Sequence, residues 1–263
     1  MPKRTALVTG ASAGIGTAFA ELLAAEGYDL LLVARREDRL RELADKLAKK
    51  HNGRYEVFPA DLRDPAAPTE IVKHAEDLGV DIDVLINNAG LSGKGKFSET
   101  PWEEIDGELQ VMVTAVTHLT HLIVPGMRER GWGRVVNLSS LAAFQPPGAS
   151  LLYTGIKTYV LNMSMALDME LKPYGVNVTA LCPGFTHSEF HDVMGTRSQA
   201  SKLPGLLWQD ADVVVRDGWE AVKKGKPVCV PGGVNKFLSA SMRPVPTRLQ
   251  YTLGRTANPF KHA

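Results

Sequence analysis

Short apolar runs alternate along this chain with longer stretches of helical period, and that alternation limits the fold more than any other feature. The runs Ala6–Thr9, Leu30–Ala34, Tyr55–Pro59, Val84–Asn87, Arg134–Leu138, Asn177–Leu181 and Val228–Val230 are nearly continuously apolar. A strand with one wet face alternates apolar and polar side chains. A strand without alternation has both faces covered, as in a parallel sheet clad in helices. Between the runs, Ile15–Glu26, Arg36–Lys50, Ala66–Leu78, Trp102–Glu129, Tyr153–Leu171 and Asp212–Lys224 read as helices. This order predicts one α/β, doubly wound (Rossmann-type) domain with a parallel seven-stranded sheet and helices on both faces.

Beyond Gly184 the pattern turns irregular. Residues 185–208, polar and glycine-rich with apolar Phe185, Phe190, Leu203, Leu206, Leu207 and Trp208, are expected to form a substrate lid. Residues 1–232 then form the main domain, and the basic, proline-punctuated stretch 233–263 is an extension without an assigned role. A formal net charge of +1 gives no bulk attraction to nucleic acid, which is not expected as a partner. The two cysteines, Cys182 and Cys229, lie in strand-like runs and read as buried reduced thiols. No unbroken apolar run approaches the roughly 20 residues of a membrane span, so the expectation is a cytoplasmic protein. Peripheral membrane contact through the apolar and basic tail, Asn235–Arg243 and Arg248–Tyr251, is an alternative to packing of that tail on the pocket or on another subunit.

The first strand runs into Thr9-Gly10-Ala11-Ser12-Ala13-Gly14-Ile15-Gly16, which opens the first helix. Small residues there let the backbone approach a pyrophosphate, whose charge is favoured by the free N–H groups of a helix N-terminus. The spacing is G-x-x-x-G-x-G, not the more familiar G-x-G-x-x-G. At the end of the second strand an acid would bond the ribose hydroxyl of NAD, whereas arginine accommodates the phosphate of NADP. Arg35 and Arg36 stand there, which points to NADP(H).

Tyr153-Thr154-Gly155-Ile156-Lys157 puts a phenol and an ammonium on one helical face. A neighbouring cation favours the phenolate and draws the tyrosine toward a working acid/base range. The spacing alone is weak. It gains meaning from Asn137-Leu138-Ser139-Ser140, which ends a strand and brings serine hydroxyls to the carboxyl edge of the sheet, where open α/β folds bind ligands.

In this order and spacing the motifs resemble the classical short-chain dehydrogenase/reductase family, from Thr9 to about Val230. The resemblance rests on the glycine loop, Asp61-Leu62, Asn87-Asn88-Ala89-Gly90, Ser140 with Tyr153 and Lys157, and Pro183-Gly184. It implies an NADP(H)-dependent oxidoreductase that transfers a hydride between nicotinamide and a carbonyl or secondary alcohol, working as a homodimer or homotetramer. Within it, Tyr153 would protonate the carbonyl oxygen, Ser140 would hydrogen-bond that oxygen, and Lys157 would hold the nicotinamide ribose and lower the pKa of Tyr153. Gly10, Ser12, Gly14, Ile15 and Gly16 would cradle the pyrophosphate, and Asp61 and Leu62 would border the adenine. Asn88, Ala89 and Gly90 would border the adenosine ribose, and Pro183, Gly184, Thr186 and Ser188 the nicotinamide. Ser188 stands where the family usually has threonine. A larger departure is Met112, at the position of an asparagine that helps a water relay protons to the lysine; methionine lacks those hydrogen bonds. Ala13 also replaces a common serine.

The apolar lid residues suggest an acyl, steroid or aromatic ketone substrate. His187 and His191 flank Glu189 without a further ligand, and no metal is expected. Two other functions fit the same residues: a non-catalytic NADP-binding redox sensor or scaffold, and an isomerase or dehydratase on the same fold.

Overall fold

A computed structural model of the protein describes residues 3–91, 97–144, 152–187, 205, 208–242, 245–246, 248–249 and 251–252. The strands are β1 (Thr5–Thr9), β2 (Asp29–Ala34), β3 (Tyr55–Pro59), β4 (Ile82–Asn87), β5 (Gly133–Leu138), β6 (Val176–Leu181), β7 (Phe185–His187), β8 (Trp208–Asp210) and β9 (Val228–Cys229). The helices described are α1 (Gly14–Ala25), α2 (Glu37–Lys50), α3 (Ala67–Asp77), α4 (Trp102–Leu109), α5 (Ala115–Glu129), α6 (Tyr153–Leu171), α7 (Ala211–Lys223) and α8 (Gly233–Met242). Seven strands form one parallel sheet in the order β3-β2-β1-β4-β5-β6-β9. The expected doubly wound α/β architecture is present.

Its strands lack alternation because each feeds two cores. Ala6, Val8, Leu30, Leu32, Val84 and Ile86 face α1, α2 and α7 and pack with Phe19, Leu40 and Trp219. Leu7, Leu31, Val33, Leu85 and Val135 face the opposite way and pack with Ile71, Leu119 and Ile156. Side chains point alternately up and down a strand, so covering both faces makes every position apolar. From β1 the chain crosses to the α1 face, and from β4 to the α5 face. The strand order therefore reverses between them and opens a crevice at their carboxyl ends.

Three elements differ from expectation. Trp102–Glu129 is not one regular helix: a π-helical stretch, Gln110–Thr114, joins α4 to α5. Within it one 18-residue window reaches a mean hydropathy of 1.2, which by length and composition alone passes for a membrane-crossing helix, although no unbroken apolar run of that length is present. Its Leu119, Ile123 and Met127 are nevertheless buried on the sheet, as in a core helix. At the sheet edge β9 stops at Cys229, and Val230 packs instead in a small cluster with Leu141 and Cys182. Finally, the segment expected to be an irregular lid begins and ends in strands, because β7 and β8 pair in parallel as a separate small sheet.

Candidate active site

The glycine loop folds back on itself at the mouth of the crevice. Gly10 has φ +65°, and a Cβ on Gly16 would lie 2.2 Å from the Gly10 carbonyl oxygen, so only glycine fits that approach. Ala13, the residue before α1, gives no side-chain cap, and the first turn holds no acid. The leading N–H groups are therefore available to an anion, in the positive field of the helix end.

The loop is pinned from β4. Asn88 Nδ2 donates to the carbonyls of Thr9 (2.9 Å) and Gly10 (3.2 Å). Thr9 Oγ1 accepts from the backbone N–H groups of Asn88 (3.0 Å) and Ala89 (3.1 Å) and lies 3.2 Å from the Ile86 carbonyl, to which it donates. The Asn88 side chain, expected at the adenosine ribose, is thus committed to shaping the loop. Ala89 is half-buried beside it and Gly90 is exposed. Across the loop, Arg36 Nη2 donates to Ser12 Oγ (3.2 Å) and to the Ser12 carbonyl (3.4 Å); both Arg35 and Arg36 are exposed. Asp61 Oδ1 accepts from the Arg63 N–H at 3.0 Å in a tight turn, and Leu62 beside it is buried.

The adjacent serines that end β5 have different surroundings. Ser139 is buried and donates from Oγ to the Lys157 carbonyl at 2.7 Å. Ser140 Oγ accepts from the Ala142 N–H at 3.1 Å and is hydrogen-bonded to the Tyr153 hydroxyl. Lys157 is only 6% exposed, and its ammonium donates to the Leu138 carbonyl at 2.8 Å while lying 5.5 Å from the Tyr153 ring centre. Contrary to the expected lowering by Lys157, burial pushes the Tyr153 phenol up to about 12, because removing the phenolate from water outweighs the Ser140 hydrogen bond that partly offsets it. Burial also brings Lys157 down to about 8, with the Cys182 thiol opposing the shift. The site therefore holds a protonated phenol, aligned by a serine, over a buried amine that titrates near neutrality.

Pro183 anchors the far side of the site, its carbonyl accepting from the Leu141 N–H at 2.8 Å. Thr186 is buried, and its hydroxyl lies 3.3 Å from the Gly184 carbonyl, to which it donates. Next to it, Phe185 and His187 both pack on Trp208, with ring centres 5.7 and 4.8 Å away. Met112 is buried in the π-helical stretch, its Sδ 3.7 Å from where a Gly90 Cβ would sit. One turn earlier, Glu108 is buried and its carboxyl is raised, first by burial and then by the charge of Glu104, and no local motif marks it in the sequence. Ser188, Glu189, Phe190, His191, Leu203, Leu206 and Leu207 lie outside the described residues, as do Arg243, Gln250 and 253–263.

The family model for short chain dehydrogenases matches residues 4–198. The ketoacyl reductase HetN of Nostoc sp. is 34% identical over 203 residues, covering 77% of this chain and 70% of that protein. A short-chain dehydrogenase from Sphingobium yanoikuyae, solved in complex with NADPH, is 30% identical with a TM-score of 0.81, over 99% of this chain and 98% of that one. The bulky-bulky ketone specific alcohol dehydrogenase from Comamonas testosteroni is 27% identical with a TM-score of 0.78, over 100% and 98% of the two chains.

Proposed function

The chain belongs to the short chain dehydrogenase family, and from that premise we propose that it is an NADP(H)-dependent oxidoreductase acting on a hydrophobic carbonyl or secondary alcohol. The observation that carries this reading is the meeting of Ser140, Tyr153 and Lys157 beside the crevice. When bound, the nicotinamide supplies or accepts the hydride. The residues at its proposed site suit a dinucleotide: an uncapped helix start for the pyrophosphate and a guanidinium at Ser12 where a ribose phosphate would lie. In this reading Asp61 and Leu62 border the adenine, and Pro183, Gly184, Thr186 and Ser188 the nicotinamide.

In the reducing direction Tyr153 gives its proton to the substrate oxygen. Ser140 donates a hydrogen bond to the same oxygen, which orients it and stabilises its developing negative charge. The Lys157 ammonium makes the phenolate easier to form as that proton leaves. In the oxidising direction the Tyr153 phenolate takes the alcohol proton, while Ser140 holds the substrate oxygen and the Lys157 ammonium favours the phenolate before the proton arrives.

The Phe185–Trp208 pair beside Thr186 supports an apolar substrate of acyl, steroid or aromatic ketone type. The ketoacyl and bulky-ketone relatives lean the same way. Residues 1–232 make up the catalytic unit, which we assign to a homodimer or homotetramer in the cytoplasm; Cys182 and Cys229, both free thiols, suit a reducing compartment.

Oxidation of NADPH, followed at 25 °C across a panel of acyl, steroid and aryl ketones, tests the reading. At least one ketone should be reduced to its alcohol. Binding of NADPH without turnover on any of them would instead favour a redox sensor. In Tyr153→Phe, turnover should fall by about 10³-fold or more while NADPH affinity stays within about threefold. Near-normal turnover in that variant would remove Tyr153 from the chemistry.

A further inference from the structure

The chain beyond β9 does not simply leave the domain. α8 turns a buried asparagine, Asn235, back toward the active-site edge, where Asn235 Nδ2 donates to Gln209 Oε1 at 2.8 Å and to the Pro231 carbonyl at 3.1 Å. The same carboxamide lies against Gly184: a Cβ there would meet Asn235 Nδ2 at 2.6 Å and Oδ1 at 2.7 Å. On the other side of Gln209, a Cβ on Gly232 would meet its Nε2 at 2.5 Å. The Gln209 amide therefore sits between the Gly232 backbone and the Asn235 side chain. Gln209 is also the register partner of Thr186 across the β7–β8 pair. One buried carboxamide thus ties together the turn at Gly184, the β7–β8 sheet and the start of α8.

We propose that Asn235, acting through Gln209 and against Gly184, is a positioning residue that sets the height of the Gly184–Thr186 backbone at the nicotinamide side of the site. The inference rests on the oxidoreductase reading and extends it by giving the start of the extension a task in the reaction. Both N–H groups of the Asn235 amide are committed to acceptors, so a carboxylate there would face two carbonyl oxygens with no proton to offer. Leucine would have similar volume but would leave the Gln209 oxygen and the Pro231 carbonyl without their donor. The adenosine half of the cofactor is held elsewhere, at the glycine loop and Arg36. Losing the clasp should therefore loosen the reacting end far more than it weakens overall binding.

The test uses the full-length protein with Asn235→Leu, Asn235→Asp and Gln209→Met; the last variant keeps the Asn235–Pro231 bond in case the others fold poorly. Two quantities are read: kcat and KM for NADPH with the best ketone, and amide hydrogen exchange of Phe185–His187 and Trp208–Asp210. We expect kcat to fall about tenfold or more, KM for NADPH to move less than about threefold, and exchange in both strands to quicken in all three variants. Unchanged kcat with unchanged exchange in the folded variants would overturn the proposal, as would equal losses in kcat and cofactor affinity. The exchange measurement needs no turnover. A wild-type protein inactive on every ketone would count against the oxidoreductase reading, while the clasp would still stand or fall on exchange at the two strands.

Discussion

Tyr153 and Lys157 are moved from their ordinary titration ranges by the same cause, burial, and in opposite directions. The phenol, raised to about 12, keeps its proton throughout the working range and is poised to donate it. The ammonium, lowered to about 8, loses its charge as pH rises through that value. If the Lys157 charge assists proton transfer, kcat/KM for reduction should be level below pH 8 and decline above it. Lys157→Arg, which keeps its charge to above pH 12, should carry the declining limb beyond pH 10, whatever its effect on the plateau. A limb unmoved in that variant would assign it to another group. Folding responds in the same window. Between about 8 and the ordinary lysine value the unfolded chain holds the extra proton, so the penalty for burying this amine eases as pH rises.

At the scale of elements, the proposed preference for NADP(H) rests on the turn after β2. Replacing Arg35 and Arg36 together with alanine should weaken NADPH by about tenfold or more, as expected for losing charge-assisted bonds to a phosphate, and NADH by much less. Equal losses in the two titrations would show that the arginines do not read the phosphate. The parallel strands were legible in the sequence because burial on both faces removes all alternation, as at Leu30–Ala34. So was the glycine loop, since Gly10 and Gly16 occupy places no side chain fits. Other features were hidden because they depend on tertiary partners. Ser139 and Ser140 are identical in type and adjacent, and only their surroundings separate the one bonded to the Lys157 carbonyl from the one facing Tyr153. Asn88 was recognisable as part of a motif, but its bond to Gly10 spans a distance in sequence that no local pattern encodes. The π-helical register at Gln110–Thr114 contains neither glycine nor proline to announce it. The pairing of β7 with β8 joins three-residue strands, too short for periodicity to reveal.

In the molecule as a whole, the two central strands and the two helices over them are joined by a buried polar chain. Asn87 Nδ2 donates to Thr120 Oγ1 (3.1 Å) on α5 and to Asn137 Oδ1 (2.9 Å) on β5, and Asn137 Nδ2 donates to Ser164 Oγ (3.0 Å) on α6. All four residues are buried, so each bond is made where no solvent can replace it. Asn137→Val should leave the Asn87 and Ser164 groups short of a partner and cost about 2–4 kcal/mol in urea unfolding, well above the effect of an ordinary surface change. A loss below about 1 kcal/mol would mean that the neighbours re-pair. The sheet is far less secure at its last strand: β9 meets β6 through two residue pairs, Ala180 with Val228 and Leu181 with Cys229, whereas β5 and β6 share six. Drawn by its C-terminal end in an optical trap, the protein should therefore give way in two stages, releasing the last strand and all that follows it at low force before the remaining strands rupture together.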